Sequence, residues 1–123
     1  MKYLIGICCL FALFVACDDD DAGTICTEEF VSVGFTIDGD PAPAEVTTFF
    51  KDAMPPSTRV LEAQNGFYTI VDDSDQEALG EGEFTYVVEG TDSTGATLFS
   101  EEYVISVDEC HVGKVSGPEV ISY

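Results

Sequence analysis

The feature that most constrains the fold is an alternation of apolar and polar residues in short runs. In residues 31–37, VSVGFTI, every second residue is apolar, and Phe84, Tyr86 and Val88 repeat the pattern. A period of two places alternate side chains on opposite faces of a strand. No segment longer than ten residues has the period of a helix. The pattern therefore predicts an all-β protein.

Turn-forming stretches such as IDGDPAP, AMPPS, Asn65-Gly66 and GTDSTG separate these runs. The polar stretch DDSDQEALGEGE has room for one short helical turn. Short strands with turns between them predict an antiparallel β-sandwich of about seven strands, in which Tyr103, Ile105 and Val107 point inward. The predicted strands cover residues 31–37, 46–50, 58–63, 67–71, 84–88 and 98–107, with one or two more at 114–115 and 120–123.

The N-terminal segment has the order of a targeting sequence. Lys2 precedes an uncharged run, Tyr3 to Ala16. This run is shorter than the roughly 20 residues that a membrane-spanning helix needs, and suits a secretory signal. Its end, Phe14-Val15-Ala16-Cys17, resembles the lipobox of bacterial lipoproteins, although Leu is commoner at the position of Phe14. The resemblance implies cleavage before Cys17 and acylation of Cys17. An ordinary signal peptide followed by an incidental cysteine is the alternative.

Four aspartates, Asp18, Asp19, Asp20 and Asp21, follow Cys17 directly. In sorting of the enterobacterial kind, an Asp at this point retains a lipoprotein at the inner membrane. In Bacteroidetes-type lipoproteins an acidic run here resembles a surface-export signal. We expect a lipid-anchored protein of the outer membrane, exposed at the cell surface, with a periplasm-facing location as the alternative. Simple spacing by an extended, charged tether also accounts for the run.

These boundaries divide the chain into three parts. Residues 1–16 form the signal peptide, residues 17–25 the lipidated cysteine and acidic tether, and residues 26–123 a single sandwich domain. Of the five cysteines, Cys8 and Cys9 lie in the removed segment and Cys17 takes the lipid. Cys26 and Cys110 remain, and an even remainder in an exported protein predicts a disulfide. A metal site of these two cysteines with His111 is the alternative.

The charge of the chain limits its partners. The chain has 24 acidic and 4 basic residues among 123, a formal net charge of −20. Such a polyanion is repelled by phosphate, which argues against nucleic acid and anionic lipid headgroups as partners. Acidity at this level favours solubility, cation binding or attraction to basic partners. At 46% hydrophobic residues the chain is too apolar to be disordered.

Two stretches of the domain carry a resemblance. VSVGFTIDGDPAPAEVTTF and NGFYTIVDD, with Gly39-Asp40-Pro41 and Gly66-Phe67-Tyr68, resemble a carboxypeptidase-regulatory-like or transthyretin-like sandwich. An immunoglobulin-like sandwich is the rival, although the chain has no Trp for such a core. The whole chain, with Cys-Thr-Glu, Asp108-Glu109-Cys110-His111 and Ser-Gly-Pro, is similar to small Bacteroidetes-type surface lipoproteins. That resemblance implies a location and a fold without an activity.

Little in the sequence indicates catalysis. His111 is the only histidine and follows Cys110, so we expect it to pack beside the disulfide. GTDSTG has no Lys and is no P-loop. We therefore predict a protein that is not an enzyme and has no cofactor. Calcium is the weak exception, since acidic loops can supply its oxygen ligands, and a solvated acidic face is the alternative. The calcium candidates are Asp72, Asp73, Asp75 and Glu77, with Asp38 and Asp40 in another loop.

The function expected on these grounds is that of a non-catalytic binding or accessory module for a protein or glycan partner. Exposed aromatic residues anchor such partners, and Phe49, Phe50 and Tyr123 are the candidates. The alternative is a structural subunit that assembles by strand pairing, which requires an exposed sheet edge.

Overall fold

A computed structural model describes Gly23 and residues 25–123 of the chain. The predictions about residues 1–16, Cys17 and the run Asp18 to Asp21 lie outside the described residues. Among the residues that are described, no helix has the length and apolar character needed to cross a membrane.

The described residues form two β-sheets with one short helix, which confirms the predicted all-β sandwich. A 3₁₀ turn at Asp73–Asp75 leads into α1 (Gln76–Leu79), where the sequence left room for a helical turn. The strands are β1 (Ser32–Asp38), β2 (Glu45–Phe50), β3 (Thr58–Val60), β4 (Ala63–Gln64), β5 (Phe67–Asp72), β6 (Gly82–Thr91), β7 (Thr97–Val107), β8 (Val112–Ser116) and β9 (Val120–Ser122).

One sheet has the strand order β4-β5-β1-β9, and the other has the order β3-β2-β6-β7-β8. All neighbours are antiparallel except β1 and β9, which run parallel. The prediction of an antiparallel sandwich therefore holds for every pair but this one. A hairpin cannot join parallel strands, and β9 reaches β1 by crossing from the opposite sheet.

The third predicted strand is in fact two strands that belong to different sheets. Val60 of β3 pairs with Thr47, whereas Ala63 of β4 pairs with Tyr68. Between them Leu61 is buried, and its amide donates to the Val46 carbonyl at 2.8 Å. The chain crosses between the sheets at this point, which adds one of the two strands by which the nine observed exceed the predicted seven.

The turn predicted at Asn65-Gly66 joins β4 and β5. Both residues have a positive φ, 53° and 82°, which is the geometry of a two-residue type I′ hairpin turn. Gln64 pairs with Phe67 on either side of the turn. The turn sets the register of this hairpin, so it also sets which face of the sheet Phe67 occupies.

The core lies between the sheets and is centred on Phe35. Its ring stacks on Tyr68 at 5.3 Å and on Tyr103 at 5.6 Å, measured between ring centroids. Tyr103, Ile105 and Val107 are buried, which confirms the predicted inward face of β7. Burial raises the pKa of the Tyr103 hydroxyl, and this hydroxyl donates to the Pro118 carbonyl at 2.7 Å.

The end of the chain changes sheets beside that hydroxyl. β8 pairs with β7 only from Val104 to Val107, and after Ser116 the chain crosses to β1, where Thr36–Asp38 pair with β9. Among the strands that the structure describes, none pairs with the remaining half of the β7 edge or of the β1 edge. One half-edge is β7 before Val104, and the other is Ser32–Gly34 of β1.

Gly117 allows this crossing, and its replacement tests the crossing. Its φ is +124°, and a Cβ built there would lie 2.2 Å from the Tyr103 ring. We predict that Gly117→Ala lowers the free energy of unfolding by more than about 2 kcal/mol, from backbone strain and the clash together. Gly95→Ala is the control, because Gly95 also has a positive φ, +85°, but has open space around it. Equal losses in urea denaturation would contradict the proposed contact.

Candidate functional site

The first described residues are bound to the far end of the domain by a disulfide. Cys26 and Cys110 are bonded, with Cα atoms 5.1 Å apart and 84 residues of separation, which confirms the predicted pairing. Closing a loop of this size stabilises the folded state by about 4.5 kcal/mol in the chain-entropy model. The chain enters the sandwich at this bond, so a pull on the N-terminal side reaches the turn between β7 and β8 directly.

A single carboxylate, that of Asp73, strengthens the same end. It accepts hydrogen bonds from the backbone amides of Val31 at 2.8 Å and Val112 at 2.9 Å, and from His111 Nδ1 at 2.8 Å. Burial opposes ionisation of Asp73, but the three hydrogen bonds outweigh it and lower the pKa of the carboxyl. Asp73 therefore joins the segment before β1, the start of β8 and its own 3₁₀ turn.

His111 extends this group to Thr27. Its Nε2 lies 2.9 Å from Thr27 Oγ1, while its Nδ1 faces Asp73. The turn that presents His111 is held by Asp108, whose carboxylate accepts the amides of Cys110 and His111; these bonds lower the pKa of Asp108. The expectation that His111 packs beside the disulfide agrees with this position. We call Cys26, Thr27, Asp73, Cys110 and His111 the clasp.

The clasp has the hydrogen-bond order of a hydrolase triad, with a hydroxyl, an imidazole and a carboxylate in sequence. Catalysis would also need donors placed for a developing oxyanion and a substrate held against the hydroxyl. Asp73 instead binds two backbone amides from distant segments, and Thr27 follows the disulfide directly. We interpret this series of hydrogen bonds as a structural contact that holds the N-terminal segment to the domain. The absence of enzymatic activity stays a prediction.

The predicted calcium ligands do not converge on one point. Asp72 accepts from the Ser74 amide, Asp75 accepts from the Asp72 amide, and Asp73 belongs to the clasp. Among the residues that the structure describes, no group of three or more His, Cys, Asp or Glu side chains is placed to hold a metal ion. Glu77 lies on α1, Asp38 is the last residue of β1, and Asp40 lies two residues beyond it. The prediction of no metal is untested, and calcium binding stays its alternative.

A groove lies on the outer side of β1, over its unpaired half-edge. Its volume is about 390 Å³, and it is lined by Ser32, Val33, Gly34, Thr36, Phe67, Lys114, Glu119 and Val120. We call the groove that these residues line the edge groove. Ser32, Gly34 and Thr36 alternate with the buried Val33 and Phe35, so they form its floor.

Phe67 forms one wall of the edge groove. A Cβ built on Gly34 would lie 2.8 Å from the Phe67 ring, so the ring packs directly on the glycine. The side chain still has about a third of its surface exposed, at 36%. An aromatic ring that packs on a strand and keeps part of its surface exposed suits contact with a sugar ring or an apolar side chain.

Lys114, Glu119 and Val120 form the opposite wall. The Lys114 ammonium lies 3.4 Å from Glu119, and Lys114 is a quarter exposed while Glu119 is 86% exposed. Lys114 belongs to β8 and Val120 to β9, so the wall is the place where the chain changes sheets. The edge groove therefore exists because β8 and β9 are separate strands.

The three aromatic anchors predicted from the sequence lie elsewhere. Tyr123 packs on Phe99 at 5.4 Å and donates its hydroxyl to the Pro41 carbonyl at 2.7 Å. Phe50 packs on Phe84 and Tyr86. Phe49 is half-buried on the outer face of β2. Their role as partner anchors stays a prediction. The contacts of Tyr123 and Phe50 show that both side chains also pack against the rest of the domain.

Sequence reasoning missed Phe67 as a candidate anchor. The stretch FYTIV is apolar at almost every position, so its pattern does not say which residues face outward. The signal that could have found it is the Asn65-Gly66 turn, which sets the hairpin register. With Tyr68 stacked on Phe35 in the core, Phe67 must face the other way.

The described part of the chain has three basic residues, and each is already engaged. Lys51 pairs with Glu102, Lys114 pairs with Glu119, and Arg59 donates to the Ile70 carbonyl. Of the 24 acidic residues, only Asp18 to Asp21 lie outside the described part. The domain therefore presents an excess of negative charge to any partner.

No known protein family, curated protein or solved structure gives a significant match to this chain. The functional argument accordingly rests on the clasp, the edge groove and the N-terminal sequence.

Replacing Asp73 by Asn tests the clasp. The amide cannot accept from both backbone donors, so we predict a loss of about 1–3 kcal/mol in the free energy of unfolding at pH 7. The folded pKa of Asp73 is lowered from 3.8, so its contribution is present above that value and is lost as the pH falls through the lowered value. The difference between the two proteins should therefore narrow below pH 3.8.

The control is Asp52→Asn, at an exposed turn after β2. Chemical denaturation of all three proteins between pH 2.5 and pH 7, at about half-unit steps, gives the comparison. Equal losses in the two variants, or a difference that widens in acid, would refute the role given to Asp73.

Proposed function

We propose that this protein is a lipid-anchored lipoprotein of the outer membrane, exposed at the cell surface, whose sandwich domain is a non-catalytic binding module for a protein or glycan partner. The observation that carries the binding role is the edge groove, with the exposed face of Phe67 held over Gly34. Support for the anchor comes from the order of signal segment, Cys17 and acidic run in the sequence.

The clasp fits a domain that is anchored through its N-terminus. The tether would enter at Cys26, whose bond to Cys110 passes any pull to the turn before β8. The amide of Val31, just before β1, is held by Asp73. A pull on the tether would otherwise separate β1 from β5. Because β1 forms the floor of the edge groove, that separation would also disrupt the groove.

The assembly alternative has less support than the binding role. The sheets end in the short strands β3, β4, β8 and β9, of two to five residues. The longer unpaired half of β7 carries Glu101 and Glu102, and charge on an edge opposes pairing with another acidic copy.

The proposal is tested on intact cells of a Bacteroidetes host that produces the full chain. A photoreactive benzoylphenylalanine replaces Phe67 and, in a matched control, Phe30, which is 63% exposed and lies outside the edge groove. We predict covalent adducts with protein or glycan at position 67 at about tenfold the yield at position 30, because bound partners contact the groove.

Two further variants separate location from binding. Cys17→Ser should release the chain from the membrane fraction, since acyl chains anchor it. Replacement of Asp18 to Asp21 by Ala should protect it from protease added outside the cells. Equal adduct yields at positions 67 and 30 would refute the binding role, and unchanged fractionation or shaving would refute the location.

A further inference from the structure

We propose that the ligand of the edge groove is an extended, cationic peptide segment that adds as a strand to the unpaired half-edge of β1. This inference rests on the proposed binding role and specifies its ligand. It follows from the direction of the backbone groups in β1, the shape of the groove and the distribution of charge.

The backbone of β1 directs hydrogen-bonding groups into the groove. The Thr36 amide donates to the Glu119 carbonyl at 3.0 Å, on the side of β9, while the Val31 carbonyl accepts from Asp73 on the side of β5. Backbone groups alternate in direction along a strand, so Ser32 and Gly34 point to the same side as Thr36. β9 begins at Val120, opposite Thr36, so within residues 25–123 no strand pairs with Ser32 and Gly34 on that side, where Lys114 of β8 forms the wall of the groove.

Such an edge is specific for polypeptide. Donors and acceptors that repeat every second residue match the main chain of an extended peptide, which completes the ladder on strand addition. The half-edge from Ser32 to Gly34 is about 7 Å long at about 3.3 Å per residue, which fits a segment of about three residues. The added segment would lie in line with β9 and continue the sheet edge that β9 begins.

The groove also offers a side-chain contact. Because Gly34 has no side chain, the Phe67 ring packs on it and keeps about a third of its surface exposed in the groove. A peptide in this position would place alternate side chains against Phe67 and the others toward solvent. An apolar residue toward Phe67 with polar residues between is the pattern that the groove favours.

Charge indicates the sign of the ligand. Lys114 and Glu119 form an ion pair in the wall of the groove, so the lining itself carries no net charge and the sign is set by the rest of the chain. The chain has a net charge of −20, and the three described basic residues are engaged within the domain. A cationic segment is attracted by this field, whereas an acidic segment or a second copy of the chain is repelled.

The test uses the full chain in detergent micelles and a fluorescent hexapeptide of alternating Lys and Val as the probe. Matched peptides carry N-methyl groups on the lysine amides or on the valine amides, and a further peptide has Glu in place of Lys. We predict that the parent peptide binds. One of the two methylated peptides, and also the Glu peptide, should bind at least about tenfold more weakly.

Two variants of the protein test whether the peptide binds at the edge groove. Ser32→Pro removes an edge amide that points away from β5, a place where strands tolerate proline, and Phe67→Ala removes the wall. Each should weaken binding by about tenfold, while Phe30→Ala should leave it unchanged. The methylated peptides act on the unaltered protein, so the test stands even if Ser32→Pro fails to fold.

Equal binding of all peptides, or no binding of the parent peptide, would overturn strand addition. A glycan probe, chitotetraose, that binds and is lost on Phe67→Ala would overturn the peptide ligand and keep the binding role. Concentration-dependent dimers that dissociate in Ser32→Pro would show that a second copy is the occupant. The crosslinking experiment on intact cells tests the binding role by itself, so its failure can be distinguished from failure of the peptide proposal.

Discussion

The contact between the Tyr103 hydroxyl and the Pro118 carbonyl marks the place where the chain leaves one sheet for the other. Tyr103 is fully buried and stacks on Phe35, so the crossing is fixed to the centre of the core. Because β8 ends there and β9 begins beyond it, neither strand covers its sheet edge completely. The edge groove, with the open half of β1 as its floor, is a direct consequence.

Where the chain enters the domain, by contrast, covalent and hydrogen bonds hold its segments together. There a disulfide joins residues 84 apart, and the Asp73 carboxylate joins three backbone segments with its hydrogen bonds. The lowered pKa of Asp73 keeps this carboxylate charged, and able to accept its hydrogen bonds, at neutral pH. The clasp holds the start of β1 in place, and the groove uses the half of β1 that follows.

Several elements could be predicted from sequence because their cause is local. The period of two predicts which side chains of β1 and β7 point inward, and the Asn65-Gly66 pair predicts a hairpin. The two cysteines that remain in the domain predict the disulfide. Other elements depend on partners far along the chain. Residues 58–63 look like one strand, and only the burial of Leu61 between the sheets divides them.

The candidate site was the least predictable part for the same reason. Asp73 resembles its acidic neighbours in sequence, but its hydrogen-bond donors come from Val31 and Val112, about 40 residues away on either side. Phe67 sits in an apolar run without alternation, so its exposure depends on a register that the turn and the core decide. The parallel pairing of β9 with β1 has no local signal in either strand.

Residue-resolved hydrogen exchange of the free chain tests the open half-edge most directly. If Ser32 and Gly34 face an unpaired edge while Val33 and Phe35 pair with β5, the amides of Ser32 and Gly34 should exchange on the order of a hundredfold faster than those of Val33 and Phe35. The Thr36 amide, bound to Glu119, should be protected like Val33 and Phe35. Equal protection of all five amides would show that β1 has no open edge and would contradict the account of the groove.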